Sequence, residues 1–158
     1  MNTYLVAFKP EQLVVDMRAR DWCKLPYPDH SKGCPNYGKR GSCPPSAPLI
    51  HNFIDTSRGM TMVIVEFNLS QHVSDMLKLH PEWSDRQARC CLYWQGRVRK
   101  ELHRAMSQII ESTAGLKGTD SPEAMGIQVI KTVKNLGFPI SPRPKERAYK
   151  VGLIGYAL

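Results

Sequence analysis

The sequence predicts a single α/β domain spanning residues 1–158, a small sheet of about three to four strands covered by helices, with a cysteine-rich metal-binding loop near the N-terminus. A chain of 158 residues with 42% apolar and 8% aromatic content is long and apolar enough for one core, and short for two. Runs of strand character near the start, middle and end alternate with stretches of helical period. Cysteines 23, 34 and 43 stand among glycines and prolines that exclude regular structure.

The first strand is "TYLVAFKP", ended by Pro10. "MTMVIVEFNLS" is the second, and its unbroken run from Met62 to Val65 predicts a strand covered on both faces. "AYKVGLIGYAL" supplies a third, docked in the sheet through Val151, Leu153 and Ile154. Between the first two, Ser46 and Pro48 predict the N-cap and first turn of a helix over "APLIHNFIDTSRG", closed by Gly59. Cys91, Trp94, Val98, Leu102, Ala105 and Ile109 recur at steps of three and four, predicting one long amphipathic helix over about 84–113. A last helix over about 122–136 takes Ser121 as N-cap, Pro122 at its first position, Glu123 beside its positive end and Gly137 as terminator.

The loop 21–48 raises the functional question. Cys23 is followed after ten residues by Cys34, and after eight more by Cys43-Pro44-Pro45. Thiolates sharing a metal must converge, which demands a turning backbone, and Gly33, Pro35, Gly38, Gly41 and Pro44 supply turns at nearly every step. So little apolar sequence cannot order itself by burial. A structural metal contributes roughly 10–16 kcal/mol, against about 2–4 for a disulfide, so metal is the stronger explanation. Lys32, Lys39 and Arg40 would offset the charge of several thiolates. With Cys23, Cys34 and Cys43 as three ligands, the fourth position is open to Cys90, Cys91 or His30, with His51 also flanking the loop. Cys91 lies on the apolar stripe and reads as core, whereas Cys90 is turned about 100° from it. A site left open would expose an iron or zinc to substrate or water.

The stretch "GCPNYGKRGSCPP", including Tyr37, resembles the Cys…YG…CPP signature of the predicted metal-binding proteins grouped as domain of unknown function 2284. "TDSPEAMGIQVIKTVKNLGFPI" is similar to that family's C-terminal P-S-M-E-A-x-G-I-D-V segment and the helix after it. The resemblance implies a cytosolic protein that binds an iron-sulfur cluster or zinc, with no assigned activity. It makes Tyr37, Ser121, Glu123 and Gly126 neighbours of the centre. The family's second cysteine group, shortly before the C-terminal segment, has no counterpart here, because "ESTAGLKGTD" lacks cysteine.

The expected function is therefore a cytoplasmic metal-binding protein carrying one iron-sulfur cluster, [4Fe-4S] favoured, in a redox or substrate-binding role. Whether it is an enzyme is left open. No basic leader or apolar span is visible at the N-terminus, so no membrane association is expected. The net charge of +8 is concentrated in residues 81–110 and 131–150, which would attract nucleic acid or an anionic substrate. The alternative is accordingly a zinc-stabilised basic module that binds nucleic acid, with Trp83, Tyr93 and Trp94 as stacking residues. A redox partner would accompany the iron-sulfur reading. No P-loop, dinucleotide fingerprint or HExxH helix is present.

Overall fold

The computed structural model describes residues 1–27 and 29–158; within the cysteine-rich loop, Pro28 lies outside the described residues. Four strands, β1 (Asn2–Phe8), β2 (Met60–Asn68), β3 (Leu116–Thr119) and β4 (Arg147–Tyr156), form an antiparallel sheet in the order β1-β2-β4-β3. The α/β class and the small helix-covered sheet are as the sequence predicts. β2 is central because its run from Met62 to Val65 is wholly buried and serves both faces. Met62 and Ile64 join Ile50, Ile54, Met125, Ile127 and Val133 on one side. Val63 and Val65 meet Val98, Leu102 and Met106 on the other. The glycines of β4 have a packing reason. A Cβ at Gly152 would collide with Met106, so its absence lets the helix lie close on the sheet.

Helices cover the second face: α1 (Leu69–Leu79), α2 (Asp85–Ala88) and α3 (Gln95–Ser112). The sequence reading passed over α1, which follows β2 directly. Its signal is Asn68, whose side chain caps Gln71 N, followed by Leu69 and Val73 one turn apart.

Three predicted helices are corrected. The single helix over 84–113 is broken: α2, capped by Ser84, ends at Ala88, a 3-10 turn covers Cys91–Tyr93, and α3 starts at Gln95. The break brings Trp94 onto Phe67, ring centroids 5.1 Å apart, while its Nε1 donates to the Arg89 carbonyl. The helix over 122–136 is also two pieces, a 3-10 turn at Pro122–Met125 and α4 (Val129–Asn135). Between them Asp16 N donates to the Gly126 carbonyl and Gln128 N to that of Val14, each at 2.8 Å. These bonds to the N-terminal segment replace the helical ones. Gln128, not Ser121, caps α4. The predicted helix after Ser46 shrinks to a 3-10 turn at Ile50–Asn52, because Asp55 N donates to the Tyr156 carbonyl and Ile54 bridges Ala157. The sheet edge captures this segment before a second helical turn can form. Among the described residues no helix is long and apolar enough to cross a membrane.

Candidate metal centre

The chain leaves β1 and runs through an eight-residue 3-10 segment, Met17–Lys24, that ends in Cys23 and Lys24. It then loops back, so that Cys34 N donates to the Cys23 carbonyl at 2.7 Å. Gly33 makes this possible. Its φ is +91°, and a Cβ there would sit 2.5 Å from the Cys23 carbonyl oxygen. Backbone bonds carry the loop onward, from Tyr37 N to Cys34 O, Gly38 N to Pro44 O, Cys43 N to Arg40 O and Ala47 N to Cys43 O. Arg20 fastens the end of the loop to the 3-10 segment, donating to the carbonyls of Pro45 and Ala47 at 2.8 and 2.9 Å. The loop is therefore ordered chiefly by backbone bonding.

The three N-terminal cysteines are all half-buried thiols without disulfide partners. Burial pushes the Cys23 thiol up, and the thiols of Cys34 and Cys43 and the carboxylate of Glu123 push it further. Cys34, Cys43 and Glu123 thus all face Cys23 closely enough to act on its charge. Glu123 arrives because the 3-10 turn at Pro122–Met125 packs against Met17–Lys24. Burial raises the Glu123 carboxyl as well, with Lys150 opposing. Among the described residues no group of three or more His, Cys, Asp or Glu is drawn together tightly enough to hold a metal ion.

Cys90 and Cys91 form a second thiol pair. Cys91 is pushed up by burial and then by Cys90 beside it. Tyr27 bridges the two groups: burial raises its hydroxyl, the thiols of Cys34 and Cys91 raise it further, and Arg99 opposes. His30 packs its ring on Tyr27 at 4.7 Å and, with Cys90, Arg86 and Tyr93, lines a cleft of about 830 Å³ between the loop and α2. None of Cys90, Cys91 and His30 is among the groups acting on Cys23.

Of the remaining sequence candidates, Tyr37 lies under the Lys24 ammonium, 5.3 Å from the ring centroid, while Lys39 and Arg40 are exposed on the loop. Gly126 packs against Met17, where a Cβ would collide with the methionine methyl. Ser121 is turned away, its hydroxyl donating to Asp120. Trp94 is committed to packing on Phe67, and Trp83 is sandwiched between His80 and Tyr93.

The sequence reading missed a His-Asp pair. Nε2 of His103 on α3 lies 2.7 Å from Oδ2 of Asp120, which immediately follows β3. The pair lines a second cavity, about 590 Å³, beside the Gly41-Ser42 step that precedes Cys43. The available signal was weak: His103 borders the apolar stripe next to Leu102, but its partner directly follows a strand that was itself overlooked.

Comparison of the chain with family models, curated proteins and solved structures finds no match.

Proposed function

We propose that the protein is a cytoplasmic metal-binding protein whose Cys23, Cys34 and Cys43 hold one iron-sulfur cluster, [4Fe-4S] in type, in a redox or substrate-binding role. The observation that carries this reading is the backbone closure of the loop, with Cys34 N bonded to the Cys23 carbonyl and Cys34 and Cys43 both acting on the Cys23 thiol. The resemblance to domain of unknown function 2284 supports the same residues, Tyr37 and Glu123 included. The donor chemistry fits a cluster. Ligands of one tetrahedral zinc stand roughly 3.8 Å apart, given a Zn–S bond of about 2.3 Å. Each thiolate of a cubane binds a different iron, so its ligands stand farther apart. Three soft thiolate donors serve either arrangement, and the family resemblance favours the cluster.

When bound, the cluster would supply one-electron chemistry or a Lewis-acidic iron not held by cysteine. The chain's own part is to hold three soft donors and to bring the charge of Glu123 to bear on Cys23. Anaerobic purification followed by iron and acid-labile sulfide analysis tests the reading. Brown protein with matching iron and sulfide supports it, and colourless protein that cannot be reconstituted removes it.

A second reading is supported by the surface around Tyr93, which is 48% exposed, tilts on Trp83 at 4.9 Å and shares the cleft with Arg86. Such an aromatic and basic surface would stack and neutralise single-stranded nucleic acid, and a zinc-stabilised loop would then serve as scaffold. Oligonucleotide binding that weakens steeply with salt, together with stoichiometric zinc, is its signature.

A further inference from the structure

The cavity containing His103 has a construction of its own. Phe53, Met106, Ile110 and Met125 form apolar walls, contributed by the segment after the cysteine loop, α3 and the turn at Pro122–Met125. His103 and Asp120 supply the polar side. Asp120 is held at both oxygens, Oδ2 by His103 and Oδ1 by the Ser121 hydroxyl at 3.1 Å. Burial works against its charge, but His103, Ser121 and Lys150 outweigh burial and keep the carboxylate ionised. In the neutral ring an ionised acceptor at Nε2 favours the proton there and leaves Nδ1 with its lone pair, the arrangement that orients a catalytic histidine. Among the described residues Nδ1 has no hydrogen-bond partner. A surface ion pair clipping α3 to β3 would need no apolar cavity beside it.

We propose that this cavity is a substrate site for a small organic molecule with an apolar body, and that His103 is a base taking a proton from that molecule or from a water attacking it. Asp120 is its positioning residue. None of the three N-terminal cysteines lines the cavity, although Gly41 and Ser42 of their loop do, so its chemistry is separate from theirs while its rim is shared with their loop.

The probe is p-nitrophenyl acetate, whose ring suits the apolar walls. The water oxygen bonds to the acyl carbon as its proton passes to Nδ1, and the bond from acyl carbon to phenolic oxygen breaks. The departing p-nitrophenolate takes up the proton, so that p-nitrophenol and acetic acid leave. A positioned base contributes about 10²–10⁴-fold, so His103→Asn is expected to lower the saturable rate by about 100-fold. Asp120→Asn is expected to lower kcat about tenfold through the wrong tautomer, with KM unchanged, and to shift the His103 nitrogen signals in NMR. Ser107→Trp, made on the cavity wall from an exposed position of α3, should block the reaction while the circular dichroism spectrum stays the same. His80→Gln, at a surface ring stacked on Trp83, should leave the rate unchanged. Wild-type protein no faster than free imidazole, His103→Asn retaining the rate, Asp120→Asn leaving the His103 signals in place, or Ser107→Trp with full activity would each overturn the proposal.

Discussion

The backbone N–H of Cys34 donates to the carbonyl of Cys23 at 2.7 Å, joining two cysteines separated by ten residues. The bond fixes two of the three candidate ligands through the main chain. Cys43 then follows through the turns from Tyr37 to Ala47 and the clamp of Arg20. Such a loop is ordered without metal, so the proposed cluster would bind at a lower ordering cost.

Gly33→Ala is expected to damage this closure most. A left-handed backbone costs a non-glycine residue about 1–3 kcal/mol, and here the added Cβ also meets the Cys23 carbonyl. Urea unfolding of the metal-free protein should show the loss of stability, with metal retention falling alongside. Gly38→Ala is the comparison: its φ is also positive, but a Cβ there meets nothing within 4 Å.

Arg20→Ala removes two donors from the end of the loop. Hydrogen bonds to charged groups contribute about 1.5–3 kcal/mol each at most, and these are partly exposed, so a total near 1–2 kcal/mol is expected. Protection of the Ala47 amide in hydrogen exchange should fall while that of β2 is kept. Equal loss at both sites would show that Arg20 supports the whole fold and not the loop in particular.

Glu101 ties α3 to β1. The Arg104 guanidinium first, and then the Thr3 hydroxyl, pull its carboxyl down to about 2 against an ordinary value of 4.5. A depressed acid stabilises the fold fully above its unfolded value, and the contribution fades as pH falls from about 4.5 towards 2. The group is solvent-facing, so screening limits the effect to under about 1 kcal/mol. Glu101→Gln should lower stability near neutrality by under about 1 kcal/mol, flatten the profile across that window and meet the wild type towards pH 2, measured as urea midpoints at successive pH values.

Much of the framework was legible because it rests on local pattern. The run Met62–Val65 announced the central strand, and the spacing Val98, Leu102, Ala105, Ile109 announced α3. What the pattern could not show were bonds between distant segments. Val14 and Asp16 interrupt the helix read over 122–136, and Tyr156 captures Asp55 before the helix read after Ser46 can extend. Short β3 was hidden by Gly118, tolerated where Met106 and Ile110 press against the strand. At the site, the turn-forming residues around Cys34 and Cys43 were visible, while Tyr27 between Cys34 and Cys91 and the pairing of His103 with Asp120 depend on tertiary packing.

The most direct test is iron and acid-labile sulfide analysis of the anaerobically reconstituted wild-type protein beside single Cys→Ser variants at 23, 34, 43, 90 and 91. We expect matching iron and sulfide in the wild type, and loss of both in the variants at Cys23, Cys34 and Cys43. Wild-type protein that takes up neither, or variants at these three positions that retain the full complement, would contradict the assignment.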